Sequence, residues 1–210
     1  KISDSQSLAK DSIHVERNLN NESVGFQDQI IAAHGGFNKI SFNRDQTYNI
    51  EPVILSKKRL EELQSNLLLF FTGFSRTSSD IQKKHVSNLS NNKFLLNAIH
   101  KMVDEGLNIL TSGQSIDDFG HLLNESWNLK KELSNSVTND FINEVYLKGL
   151  KNGALGGKIL GAGGGGFILL FANPANHDAI KSALADLIHV PFEFDNSGSR
   201  IVLYQPEGLE

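Results

Sequence analysis

At 210 residues, with 39% hydrophobic and 21% charged side chains, the chain is long enough to bury one sizeable core or two small ones. Its net charge of −4 gives the whole molecule no attraction to nucleic acid or anionic lipid, and no apolar stretch approaches the roughly 18 residues that span a bilayer. The absence of cysteine excludes disulfides and thiolate metal sites and suits a reducing, cytoplasmic setting.

Along the chain, Leu8, Ile13 and Val15 among polar residues predict a helix over 7–19. Ile30, Ile31, Ala32 and Ala33 predict another over 28–34, stopped by Gly35-Gly36. Phe37, Ile40 and Phe42 predict a short strand, with 48–55 as its hairpin partner. A helix over 57–64 precedes the apolar run Leu67-Leu68-Leu69-Phe70-Phe71, a strand that ends at the turn signal Thr72-Gly73. Three longer helices follow over 93–110, 116–133 and 139–150, each with an apolar stripe at i, i+3, i+4 spacing. Trp127, in the second of them, reads as a core anchor. The tail predicts a strand at 158–160, a glycine loop, a strand at 167–171, a helix over 176–188 and strands at 190–194 and 200–204. The fold class is therefore α+β, an antiparallel sheet with helices packed on one side, ferredoxin-like.

The glycine loop is the most telling segment: Gly156-Gly157-Lys158-Ile159-Leu160-Gly161-Ala162-Gly163-Gly164-Gly165-Gly166-Phe167. Glycine weakens helices and strands, so four in succession beside a strand imply positive φ angles or close approach of bare backbone to a ligand. Amides pointing one way make an anion site, for which phosphate is the natural guest; a flexible hairpin loop is the alternative. The seven histidines are scattered, none paired with another at helix-turn spacing, so no metal motif is visible in them. The N-terminal residues, Lys1-Ile2-Ser3-Asp4-Ser5, lack the apolar core of a signal peptide.

The segment from Gly156 to Phe167 resembles the C-terminal glycine motif of the GHMP kinases, the family of galactokinase, homoserine kinase and mevalonate kinase. Val24-Gly25-Phe26-Gln27-Asp28-Gln29 resembles the segment that carries the catalytic aspartate in its sugar-kinase members. Residues 69–81, with Thr72-Gly73-Phe74-Ser75-Arg76-Thr77 at their centre, and 124–131, Asn124-Glu125-Ser126-Trp127-Asn128-Leu129-Lys130-Lys131, resemble the D-glycero-D-manno-heptose 7-phosphate kinases. The resemblance runs in order along nearly the whole chain. One family feature has no counterpart: the Gly/Ser-rich ATP loop that precedes the helix corresponding to 7–19. The resemblance thus implies the C-terminal portion of a kinase, with 1–56 the remnant of the N-terminal domain and 57–210 the C-terminal domain. Such a portion is expected to be inactive alone, and either to pair with the missing N-terminal part or to form a homodimer through its exposed apolar face.

The resemblance also implies roles. Asp28 becomes the catalytic residue that accepts or orients the sugar hydroxyl proton, although an aspartate there also suits a helix start. Glu16 becomes a magnesium ligand, with a solvated surface carboxylate as the alternative. Gly161, Ala162, Gly163, Gly164 and Gly165 would line the ATP phosphates. Gly73, Ser75, Arg76 and Thr77 would hold a sugar phosphate, or else form an ordinary helix-starting turn. Lys158 either neutralises phosphate or guards a strand edge. The implied activity is transfer of the ATP γ-phosphate, with magnesium, to the anomeric hydroxyl of a heptose 7-phosphate. L-Fucokinase and galactokinase are the alternatives within the family; a non-catalytic sugar-binding or regulatory protein is the alternative outside it.

Overall fold

The computed structural model describes residues 4–22, 24–73, 92–133, 137–161 and 164–202. They fall into two compact units, one made of the residues up to Val53 with those from Phe194 onward, the other of Ile54–Glu193.

In the first unit, Asp4 caps helix α1 (Ser5–His14) by accepting from the Ser7 amide at 2.7 Å. The helix then widens into a π-helical turn, Val15–Leu19. Helix α2 (Gln27–His34) stops at Gly35, whose φ of 67° favours glycine. A hairpin of β1 (Asn38–Phe42) and β2 (Tyr48–Pro52) follows, antiparallel with Ile40 opposite Ile50. The two helices meet the hairpin over Ala9, Ile30 and Ala33, with Ile13, Phe26, Ile40, Tyr48 and Ile50 packed around them. Later residues return to this unit: the Gly36 amide donates to the Asp195 carbonyl at 2.8 Å and the Ser199 hydroxyl to the Ala32 carbonyl at 2.8 Å.

The second unit begins with α3 (Lys57–Ser65) and β3 (Leu67–Phe71). Helices α4 (Lys93–Thr111), α5 (Ile116–Leu133) and α6 (Asp140–Lys151) follow in the positions their apolar stripes predict. Then come β4 (Ala154–Ile159), β5 (Phe167–Ala172), α7 (His177–Ala183) and the two-residue β6 (Ile188–His189). The strands form one antiparallel sheet in the order β4-β5-β3-β6, with Leu69 opposite Leu169 at its centre. Its core unites Leu68, Phe70, Ile168 and Leu170 with Trp127 of α5, Ile142 of α6 and Ile180 of α7, all buried. Burying each such side chain contributes about 1.5–3 kcal/mol, so this cluster dominates the unit's stability. The α+β class and its antiparallel sheet are as expected.

Four tail elements differ from expectation. Strand β4 starts at Ala154 rather than at 158, running through Gly156-Gly157. Those glycines are needed there: a Cβ on Gly156 would lie 2.0 Å from the Gly120 carbonyl oxygen of α5. Helix α7 ends at Ala183, five residues short of 188, in a turn where the Leu187 amide donates to the Leu184 carbonyl at 2.9 Å. In place of a strand over 190–194, the ladder beside β3 ends with the Val190 amide on the Leu69 carbonyl at 2.8 Å; β3 itself begins only at Leu67, and the Phe192 carbonyl accepts from the Gln64 side chain at 2.9 Å instead. Residues 200–202 are irregular, and the rest of the strand expected there lies outside the described residues.

Candidate active site

The glycine loop joins β4 to β5, and donors from three different elements hold its carbonyls. Lys130, in the last turn of α5, donates its Nζ to the Gly161 oxygen at 3.2 Å. Asn139 caps α6 through its Oδ1, which accepts from the Ile142 amide at 2.9 Å, and its Nδ2 donates to the Gly164 oxygen at 3.3 Å. Thr72, just past β3, puts both its amide (2.8 Å) and its hydroxyl (2.9 Å) on the Gly166 oxygen. The Gly164 amide donates to the Val137 carbonyl at 2.9 Å. The amides of Gly165 and Gly166 donate to no described residue.

That arrangement has a chemical consequence. Gly164 and Gly166 have φ values of 76° and 90°, a conformation that side chains rarely adopt. Positive-φ turns whose neighbouring amides meet no acceptor among the described residues are the backbone form from which anion-binding nests are built. Among the described residues, a Cβ at Gly73, Gly161 or Gly166 would meet nothing within 4 Å. Thr72 also brings the Thr72-Gly73 turn onto the loop, so two segments singled out by sequence, Gly73 and Gly161–Gly166, share one corner of the unit. Gly164 is buried and Gly165 half-buried. Ala162 and Gly163 of the loop, and Ser75, Arg76 and Thr77 of the expected sugar-phosphate segment, lie outside the described residues.

Two lysines flank the loop. Lys158 stands two residues after Gly156 on β4, on the same pleat face, toward α5. It is half-buried, and burial lowers its pKa. Burial, and next the charge of Lys158, bring the Lys130 ammonium down to about 8. Nearby, the Tyr146 hydroxyl donates to Asn124 Oδ1 at 2.7 Å, and burial pushes its pKa up to about 12. Tyr146 packs on Trp127 with ring centroids 6.3 Å apart. Trp127 is 1% exposed, so the expected core anchor is one.

In the first unit the expected carboxylates take different settings. Asp28 is exposed in the first turn of α2, where the helix N-terminus favours negative charge. Glu16 is half-buried in the π-helical turn, a distortion of the kind that often marks function. One of its oxygens accepts from Gln29 Nε2, and Gln29 is itself buried. The opposite Gln29 atom, Oε1, is buried without a partner among the described residues. Glu16 keeps its other carboxylate oxygen uncommitted among the described residues, and carboxylate oxygen is the donor type a hard cation takes. No cluster of three or more His, Asp or Glu side chains able to hold a metal forms among the described residues. Gln29, Lys130 and Asn139 escaped the sequence reading, since a glutamine inside a helix, a lysine at a helix end and a capping asparagine each have an ordinary explanation, and Thr72 was read only as part of a turn. The one usable signal was that Gln29, Thr72 and Lys130 fall inside segments that resemble the family.

Comparison with known proteins places this geometry. Residues 105–189 match the family described as GHMP kinases C terminal. D-glycero-alpha-D-manno-heptose 7-phosphate kinase of Campylobacter jejuni is 31% identical over 196 residues, 91% of this chain and 57% of that protein. The chain therefore spans little more than half the length of that relative. An L-fucokinase/L-fucose-1-P guanylyltransferase of Bacteroides fragilis is 35% identical over 108 residues, 50% of this chain and 11% of that protein. Among solved structures, a D-glycero-D-manno-heptose 1-phosphate kinase from Bacteroides thetaiotaomicron superposes with a TM-score of 0.64 at 23% identity, covering 93% of this chain and 54% of that one, a likeness of fold. Residues 105–189, within which the glycine loop lies, are thus similar to the C-terminal domain of the GHMP kinases.

Proposed function

We propose that this chain is the C-terminal part of an ATP-dependent sugar kinase that phosphorylates the anomeric hydroxyl of D-glycero-D-manno-heptose 7-phosphate. The observation that carries the reading is the glycine loop, its carbonyls drawn inward by Lys130, Asn139 and Thr72, in a chain 31% identical to a heptose 7-phosphate kinase. The amides of Gly165 and Gly166 would face the ATP phosphates, with Gly161, Ala162, Gly163 and Gly164 shaping the floor. Gly73, Ser75, Arg76 and Thr77 would bind the phosphate already on the sugar, Arg76 bidentately.

Asp28 accepts the proton of the anomeric hydroxyl as its oxygen bonds to the γ-phosphorus and the bond to the β-phosphate oxygen breaks, with ADP leaving. Glu16, held by Gln29, would hold magnesium, which neutralises phosphate charge as it shifts toward the leaving group. Catalysis of this kind is nearly all positioning and charge, so the N-terminal ATP loop of the family would be needed for turnover. The 35% identical fucokinase segment supports L-fucose as the second candidate substrate.

The complete reading frame containing this chain, screened for ADP release with ATP, magnesium and a panel of free and phosphorylated sugars, tests the proposal. Turnover only with heptose 7-phosphate supports it. A preference for free L-fucose selects the second reading, and no turnover with any sugar selects a non-catalytic sugar-binding protein.

A further inference from the structure

We infer that Lys130 and Lys158 together form a binding site for a ligand's phosphate group, beside the glycine loop and distinct from its amides. The argument starts from packing. The missing Cβ of Gly156 lets α5 lie against β4 at backbone contact, 2.0 Å from where that Cβ would stand to the Gly120 oxygen. With the helix held that close, Lys130 at its C-terminal end reaches the Gly161 carbonyl, and Lys158 projects from β4 on the face turned toward α5.

The result is two ammonium groups near enough to repel one another, both partly withdrawn from water. Neither forms an ion pair with a carboxylate among the described residues. Burying a charge is costly unless it is paired, and burying two of the same sign is more so. Groups perturbed by burial and by a like-charged neighbour gather at functional sites. A helix-end lysine that complements the helix dipole is a sufficient account of Lys130 alone. It leaves Lys158 unexplained, because Lys158 lies on a strand, and a solvated edge guard would not be half-buried. Neighbouring Lys131 serves otherwise, its Nζ 5.8 Å from the centroid of the Tyr146 ring.

Among the described residues Lys130 spends one donor on Gly161, so its ammonium keeps two, and Lys158 keeps three. Five donors and two positive charges suit the three oxygens and double charge of a phosphate monoester or a terminal phosphate. Both a sugar phosphate and a nucleotide present that chemistry. The inference rests on the kinase reading only in expecting such ligands at this corner.

Binding, not turnover, is the test. With lysine Cε-labelled protein, NMR follows Lys130 and Lys158 as inorganic phosphate, mannose 6-phosphate or a non-hydrolysable ATP analogue is added. Both resonances are expected to respond to at least one probe. Response to mannose 6-phosphate alone assigns the site to the sugar's phosphate; response to the ATP analogue alone assigns it to the nucleotide. Lys130→Met and Lys158→Met should each weaken the responding probe about tenfold to a hundredfold, the range for losing a charged hydrogen bond. Lys130→Arg and Lys158→Arg, which keep the charge, should retain most of the affinity. Silence of both lysines toward all three probes, or unchanged affinity in both methionine variants, overturns the inference. Phosphate binding that needs the lysines, in a full-length protein without kinase turnover, contradicts the proposed function and leaves this site standing.

Discussion

The two units solve opposite electrostatic problems. The first presents acid: Asp28 exposed at a helix start, Glu16 held by a buried glutamine in a π-helical turn. The second presents cation and backbone: a glycine loop with its carbonyls pinned, and two half-buried lysines without a carboxylate partner among the described residues. An exposed aspartate does chemistry by taking a proton and costs the fold little. Buried lysines and positive-φ glycines burden the fold and act by holding charge in place. Substitutions in the first unit should therefore change rate with stability intact, and those in the second should change stability and binding together.

The largest effect expected is on rate. In the full-length protein, Asp28→Asn should lower kcat by about 10² to 10⁴, the range for a positioned acid–base group, with little change in melting temperature because Asn starts helices about as well. Steady-state kinetics with a melting curve checks both; a rate within about threefold of the parent would reduce Asp28 to a helix-start residue.

Next comes a stability effect in the second unit. Gly156→Ala forces a Cβ against the Gly120 carbonyl at 2.0 Å, and backbone cannot swing aside as a side chain does. A loss of about 3 kcal/mol is expected in urea unfolding, at the upper end for overpacking. An unchanged midpoint would mean that α5 can lift from β4, and would undercut the placement of Lys130.

Arg76→Ala sharpens the comparison from the binding side. KM for a phosphorylated sugar should rise about tenfold to a hundredfold, with KM for ATP nearly unchanged. Unaltered sugar kinetics would remove Arg76 from the site and favour an unphosphorylated substrate.

The smallest expected effect is on pH dependence. Lys130 loses its proton near pH 8 when folded and near 10.5 when unfolded, so between those values the unfolded chain binds more protons and stability rises with pH. Lys158 acts in the same direction, its pKa lowered by burial. Urea midpoints at about pH 8 and about pH 10 should show a gain that shrinks in Lys130→Met. A gain of equal size in that variant would place the titration elsewhere.

Legibility in the sequence followed how local each cause was. Strand β3 is a bare apolar run, and α4, α5 and α6 carry their apolar stripes openly, so all four stand where periodicity puts them. Strand β4 was misread at its start because Gly156-Gly157 oppose a strand locally; the reason for Gly156 is a helix some thirty-five residues earlier, and for Gly157 it is β5, whose Leu169 oxygen would lie 2.3 Å from a Cβ. The end of the sheet was overestimated because Val190, Phe192 and Phe194 alternate like a strand, while β3, the strand they would pair with, begins at Leu67 and leaves them little to pair with. The glycine loop was legible as a positive-φ connection because four successive glycines beside a strand have few other uses, and Gly164 and Gly166 take that conformation. Its supports were not, since Thr72, Lys130 and Asn139 meet it only through tertiary packing.

The central claim, phosphoryl transfer to the anomeric oxygen of a phosphorylated heptose, is tested most directly by phosphorus NMR of the reaction. The complete reading frame would be incubated with ATP, magnesium and D-glycero-D-manno-heptose 7-phosphate. The account predicts ADP together with a new glycosyl phosphate resonance split by the anomeric proton, while the 7-phosphate signal persists. An unchanged heptose spectrum with ATP consumed or intact would contradict it.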